Sequence, residues 1–130
     1  EEFQYSEGIR NSSLALRELY LDSNGLSGTI PFSYENLAEL EILSIADNRL
    51  SGCLPEWLFG MNNLQTLNLT RNEMVECGLP SPMYIGPNLA ILDLSGNDFY
   101  GGLPNIFSID QEFEEFQYSE GIRNSSLALR

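Results

Sequence analysis

Apolar side chains recur along this chain in a fixed frame. The pattern LxxLxLxxN is read four times, as Leu16, Leu19, Leu21, Asn24; Leu40, Leu43, Ile45, Asn48; Leu64, Leu67, Leu69, Asn72; and Leu89, Leu92, Leu94, Asn97. Successive frames begin 24, 24 and 25 residues apart. Two places after each Asn stands a further apolar residue (Leu26, Leu50, Met74, Phe99). In three of the four frames a Gly and an Ile-Pro or Leu-Pro pair follow: Gly28 with Ile30-Pro31, Gly52 with Leu54-Pro55, and Gly101 with Leu103-Pro104. The third frame departs, with Glu76 in place of the Gly and the apolar-Pro pair shifted to Leu79-Pro80. Side chains alternate along an extended strand, so the LxL segment predicts Leu19 and Leu21 inward and Tyr20 and Asp22 on the opposite face. Ser44, Asn68 and Asp93 take the place of Tyr20 in later frames. Each Asn is placed to bond the backbone of the bend after its strand, and stacked copies form a ladder that satisfies buried polar groups. Gly permits the tight turn, and Pro fixes φ where no ladder N–H is needed.

A longer period encloses the short one. Residues 1–17 (EEFQYSEGIRNSSLALR) recur unchanged as residues 114–130, an offset of 113. Phe113, Phe116 and Tyr118 then occupy the inward positions of a fifth frame, with aromatics in place of leucines and Gly121 at the Asn position. That frame is short, because the next Leu in register, Leu129, comes 16 residues later. Four regular turns and one degenerate turn make up the 113-residue period, which favours a natural superrepeat over an engineered duplication.

The frame LxxLxLxxNxLxGxIP resembles the plant-type leucine-rich repeat, an extracellular subclass of that family, and the match runs over about residues 16–110. The resemblance implies an α/β-type solenoid over residues 1–130. Its parallel β-strands line a concave face, its convex side is irregular or 3-10 helical, and its turns start near 16, 40, 64, 89 and 113. One turn buries six or seven apolar side chains at roughly 1.5 to 3 kcal/mol each. Ordering its 24 residues costs on the order of 30 kcal/mol, so a lone coil is unstable and must stack. Neither end carries the paired-cysteine cap common in plant-type relatives. The chain opens in mid-strand and closes before its last strand, which implies continuation at both ends, either into further units or by end-to-end stacking of separate chains. Phe3, Tyr5, Phe113, Phe116 and Tyr118 are the candidate assembly surface of such a self-associating filament. Five turns spaced about 4.8 Å apart give a unit rise of about 24 Å.

Composition narrows the function classes. Arginine supplies all six positive charges, there is no histidine, and the net charge is −13. Nucleic acid and anionic lipid are therefore unexpected partners, since both require clustered cations. No apolar run approaches the roughly 20 residues needed to span a bilayer. Cys53 and Cys77 are each the fourteenth residue of their turn, so stacking brings them face to face between neighbouring coils, either as a disulfide or as two free core thiols. A disulfide implies an oxidising compartment. Asn11, Asn68 and Asn124 begin N-x-[ST] sequons, which place N-linked glycans on an extracellular chain. A glycan at Asn68 would stand on the concave face and obstruct ligand access.

Catalytic chemistry finds few groups. Without His or Lys, the usual general bases and Schiff-base nucleophiles are missing. Asp22, Asp47 and Glu41 share one face, as a glycosidase pair would require, but a solvated acidic surface accounts for them equally. No cofactor is expected. The acidic fifth turn, with Asp110, Glu112, Glu114, Glu115 and Glu120, could gather Ca²⁺ but has no EF-hand spacing. Trp57 is expected to cover a neighbouring coil on the convex side, and the proline-rich stretch 78–87 reads as a rigid bulge. The leading functional expectation is a non-enzymatic, glycosylated extracellular structural protein that assembles end to end. The second is a ligand-binding ectodomain fragment that uses Tyr20 and Arg71 on the concave face for a protein or carbohydrate. The third is an ice- or carbohydrate-surface binder, which needs a column of matching outward side chains that Tyr20, Ser44, Asn68, Asp93 and Gln117 do not provide.

Overall fold

The computed structural model describes residues 15–75, 77, 84–99, 115–117 and 126–127. Among the described residues nine short strands occur in chain order: β1 (Glu18–Tyr20), β2 (Ser27–Gly28), β3 (Ile42–Ser44), β4 (Arg49–Cys53), β5 (Thr66–Asn68), β6 (Glu73–Val75), β7 (Ile91–Asp93), β8 (Glu115–Gln117) and β9 (Ser126–Leu127). They form two sheets. The larger has the order β1-β3-β5-β7-β8-β9 and the smaller β2-β4-β6. All pairings are parallel except the last, β8 with β9.

Register follows the leucines. Leu19 lies opposite Leu43, Leu43 opposite Leu67, Leu67 opposite Leu92, and Leu92 opposite Phe116. One strand per coil and one coil per frame make a solenoid with its parallel strands on the concave face. In the second sheet Gly28 lies opposite Leu50 and Gly52 opposite Met74. The far side is built from a 3-10 turn over Phe32–Asn36 and one short helix, α1 (Glu56–Phe59). Pro31 and Pro55 stand immediately before these two segments in extended conformation. A proline that lacks an N–H is tolerated there, because the first turn of a helix leaves its N–H groups without intrahelical partners.

The core runs along the axis between the two sides. Leu43, Ile45, Leu67, Leu69, Leu92 and Leu94, the inward residues of three successive coils, are fully buried, together with Leu50, Leu58, Phe59 and Leu64. The first coil differs. Leu16, Leu19, Leu21 and Leu26 are partly buried and pack on this core from its end. Cys53, at the end of β4, is joined to Cys77 by a disulfide with Cα atoms 5.5 Å apart, clasping two adjacent coils.

A strand that the sequence frame does not specify follows β8. The frame gives no strand between Gln117 and Leu129, which opens the next turn and lies outside the described residues, whereas Phe116 and Gln117 pair antiparallel with Leu127 and Ser126. Eight residues separate Gln117 from Ser126. A parallel crossover needs a dozen or more, so the short connection returns the chain antiparallel.

Candidate functional site

The concave strand face carries four columns of outward side chains. Running from coil to coil, they are Glu18, Ile42, Thr66 and Ile91; Tyr20, Ser44, Asn68 and Asp93; Asp22, Ala46, Thr70 and Ser95; and Ser23, Asp47, Arg71 and Gly96. Tyr20 stands out, 57% exposed. Its hydroxyl is held more firmly protonated than usual, by partial burial first and then by the neighbouring Glu18 and Asp22 carboxylates.

Side-chain bonds within and between coils hold the second and third columns. Asp22 Oδ1 accepts from Ser44 Oγ at 2.8 Å and from the Ala46 N–H at 2.7 Å, so the first coil's carboxylate leans over the second coil and buries Ser44. In the third and fourth coils the equivalent bond is local. Asn68 Oδ1 accepts from the N–H and hydroxyl of Thr70 at 3.1 and 2.9 Å, and Asp93 Oδ1 accepts from those of Ser95 at 3.2 and 2.8 Å. Ala46 has no hydroxyl and Ser44 is too short to reach back, so Asp22 supplies that bond from the neighbouring coil.

The fourth column has an unusual backbone. Ser23, Asp47 and Arg71 adopt left-handed conformations with φ of 57, 59 and 54°, and Gly96 follows at 73°. Such φ values are uncommon outside glycine and draw notice to these positions. Each of the three non-glycine N–H groups donates to the next coil: Ser23 to Ala46 O at 2.9 Å, Asp47 to Thr70 O at 2.9 Å, and Arg71 to Ser95 O at 3.0 Å. The Asp47 carboxylate and Arg71 guanidinium form a two-pronged ion pair, through Nε to Oδ1 and through Nη2 to Oδ2 at 2.8 Å. The hydrogen bond from Arg71 holds the Asp47 carboxyl below its ordinary range. A side chain at Gly96 would meet Arg71 Cγ at 2.9 Å, so glycine leaves the arginine room to lie flat. The LxxLxLxxN pattern leaves this column unspecified, and no sequence signal marks it.

Beneath the face, the Asn24, Asn48, Asn72 and Asn97 side chains form a ladder that crosses coils. Asn48 Oδ1 accepts from the N–H groups of Asn24 and Leu26, both at 2.9 Å, and its Nδ2 donates to Leu21 O at 2.9 Å. Asn72 serves Leu50 N–H and Ile45 O in the same way, and Asn97 serves Met74 N–H and Leu69 O. A second amide ladder, which the sequence frame does not announce, runs on the other side: Asn63 Nδ2 donates to Ala38 O at 2.8 Å and Asn88 Nδ2 to Asn62 O at 2.9 Å.

The acidic trio considered for hydrolysis is engaged in structure. Glu41 accepts from Arg17 at 3.3 Å, Asp47 is held by Arg71, and Asp22 caps the second coil. Asn11, Asn124, Phe3, Tyr5, Phe113 and Tyr118 lie outside the described residues, as does the acidic turn apart from Glu115. Phe116 is placed by its strand opposite Leu92. Among the described residues no group of three His, Cys, Asp or Glu is arranged to hold a metal ion, and no helix is long and apolar enough to cross a membrane.

A family model described as Leucine rich repeat matches residues 15–74, and a second, Leucine Rich Repeat, matches residues 88–108. Receptor-like protein 18 of Arabidopsis thaliana is 34% identical over 100 residues, which cover 77% of this chain and 12% of that protein. The chain thus spans about an eighth of the length of the curated relatives it matches. Among solved structures, the plant peptide hormone receptor RGFR1 in complex with RGF2 superposes with a TM-score of 0.58 at 32% identity, over 68% of this chain and 14% of that one. A plant ice-binding protein superposes with a TM-score of 0.58 at 25% identity, over 89% of this chain and 44% of that one.

Proposed function

Because the chain belongs to the leucine-rich repeat family, in its plant-type extracellular form, we propose that it is a stretch of a receptor-like ectodomain whose concave strand face binds an extracellular polypeptide. One observation carries this reading: the outward columns vary from coil to coil and are tied down by bonds within and between coils, with Tyr20 exposed on the first coil and the Asp47–Arg71 pair bridging the second and third. Rigid, varied polar positions on a strand face suit recognition of an irregular chain, whereas a periodic surface calls for matching columns. The similarity to a peptide hormone receptor supports the same class of ligand. Similarity to a plant ice-binding protein supports the coil geometry, but Tyr20, Ser44, Asn68 and Asp93 lack the uniformity a lattice would reward.

End-to-end assembly, the leading sequence expectation, gains no support from relatives that are receptor-like proteins. Glycosylation at Asn68 remains part of the proposal. Its Oδ1 is taken by Thr70, which leaves Nδ2 as the atom to carry a sugar, and the glycan would stand beside the ligand's path on the third coil and leave the Tyr20 end and the Arg71 column open. The test is selection of a displayed random-peptide library against the chain, followed by titration of the enriched peptides on Tyr20→Ala and Arg71→Ala. Loss of about tenfold or more in affinity for each variant is expected. Enriched peptides that bind both variants as tightly as the parent chain would remove the concave face from consideration.

A further inference from the structure

Away from the strand face, the convex side holds a cleft that spans three coils. Glu35 of the 3-10 turn, Trp57 and Gly60 of the α1 coil, and Tyr84 of the next coil line it, with Met61 and Asn63 at one end. Two adjoining lobes of about 300 and 220 Å³ share Glu35, Trp57 and Gly60, and Glu56 borders the second. Trp57 packs partly against the core, so its ring is fixed while the remainder faces the cleft. Tyr84 is 67% exposed, and Phe32, in the same 3-10 turn as Glu35, is 76% exposed. These are the two most exposed large apolar side chains among the described residues.

Close backbone contact sets the far wall. The Gly86 N–H donates to Phe59 O at 2.8 Å, and a Cβ on Gly86 would overlap the Met61 carbonyl oxygen at 2.4 Å. The Tyr84 ring rests over Gly60, where a Cβ would stand 3.1 Å from Tyr84 Cδ2. The segment 84–86 is thereby pinned to residues 59–61, and Tyr84 is held as a wall although most of its surface is in solvent. Two carboxylates, Glu35 and Glu56, border the same space, both exposed, and no ion pair joins either of them to another described residue. The described arginines that do form ion pairs, Arg17 and Arg71, pair with Glu41 and Asp47 instead.

We propose that this cleft is a second binding site, independent of the concave face, and that it takes an arginine side chain of a partner polypeptide. Tryptophan and tyrosine faces attract a cation that stacks on them, and the attraction grows when the site is partly desolvated. A planar guanidinium both stacks on the rings and bonds carboxylates through its fork of N–H donors, which a lysine ammonium cannot do at once. The net charge of −13 adds a long-range attraction for basic partners. A neutral sugar would stack on the rings but would leave the two carboxylates without a counter-charge.

Trp57 is the single tryptophan of the chain, so its fluorescence reports on this cleft alone. The probes are a blocked peptide alternating glycine and arginine, its lysine counterpart, and cellohexaose. The arginine peptide should shift the Trp57 emission saturably, bind about tenfold more tightly than the lysine peptide, and weaken as salt is raised. The double variant Glu35→Gln, Glu56→Gln and the single variant Tyr84→Ala alter exposed side chains, and each should lose about tenfold in affinity. Tyr20→Ala, on the opposite face, should leave the titration unchanged. Absence of a response to the arginine peptide, equal affinity for the lysine peptide, a stronger response to cellohexaose, or an unaltered titration in the Gln double variant would each overturn the proposal.

Discussion

The first coil and the two that follow it obey one sequence rule but reach different degrees of order. Leu43 and Leu67 are fully buried and sit between neighbours on both sides, whereas Leu19, at the same position of its frame, is partly exposed. Asn48 and Asn72 are buried and their side chains bond backbone groups of their own and the preceding coil, while the Asn24 side chain bonds only carbonyls of its own coil, Leu21 and Asp22, among the described residues. A leucine-rich frame is thus half a structural unit. What a given Leu or Asn contributes depends on whether a neighbouring coil closes over it, so stability in this chain belongs to interfaces between coils more than to coils.

The sharpest way to break that comparison is to truncate the same position in two coils. Leu67→Ala should destabilise the chain by about 4 kcal/mol, because the cavity it leaves is closed on every side. Leu19→Ala should cost about 1 to 2 kcal/mol, because that side chain is only partly buried. Equal losses in denaturant titrations of the two variants would show that the first coil is as well packed as the third. Next in size is reduction of the Cys53–Cys77 disulfide, which should lower stability by about 3 kcal/mol by freeing a 24-residue loop in the unfolded chain. Thermal unfolding with and without reductant measures it, and the loss should make the second and third coils resemble the first in amide exchange.

Smaller again is the asparagine pair. Asn72→Ala removes the side-chain acceptor of the Leu50 N–H and leaves the Ile45 carbonyl with only the longer 3.4 Å bond from Asn48, and should cost about 2 kcal/mol. Asn24→Ala should cost less than about 1 kcal/mol, because water replaces its exposed bonds. The smallest effect is the pH dependence of the Asp47–Arg71 pair. Arg71 lowers the Asp47 pKa in the folded chain, so the pair's contribution is complete above the ordinary carboxylate pKa of about 3.9 and disappears as pH falls through the lower folded value. Solvent screens both side chains, so an Asp47→Asn variant should differ from the parent slightly at neutral pH and not at all in strong acid. A difference that persists in strong acid would mean that the left-handed backbone, and not the charge, sets the contribution of residue 47.

Much of this organisation was legible in the sequence because the period is rigid. Twenty-four-residue spacing alone specifies which leucines face inward, which Asn residues stack, and that residues 53 and 77 meet. The rest depends on residues that lie one coil apart and follow no motif. Nothing in the sequence announces that Asp22 reaches across to cap Ala46, because the need arises only where Ala46 and Ser44 cannot make the bond that Thr70 and Ser95 make in their coils. Nor does the frame foretell the left-handed column at Ser23, Asp47 and Arg71, since a non-glycine residue there gives no compositional sign. The convex cleft was half visible. The sequence position of Trp57 predicts a cover for a neighbouring coil, and it does pack on the core, but the seat that Gly60 makes for Tyr84 depends on a close approach of two chain segments.

The clasp between Cys53 and Cys77 also decides what a protease can accomplish. A cut anywhere in residues 54–76 leaves both fragments covalently attached, because each new end remains anchored through its cysteine to the next coil. A cut before residue 53 or after residue 77 has no such tether and divides the chain into separable pieces. In an extracellular setting rich in peptidases, the exposed Glu56 and the segment leading to Asn63 can therefore be nicked without loss of connectivity, and electrophoresis without reductant conceals a break that reduction exposes.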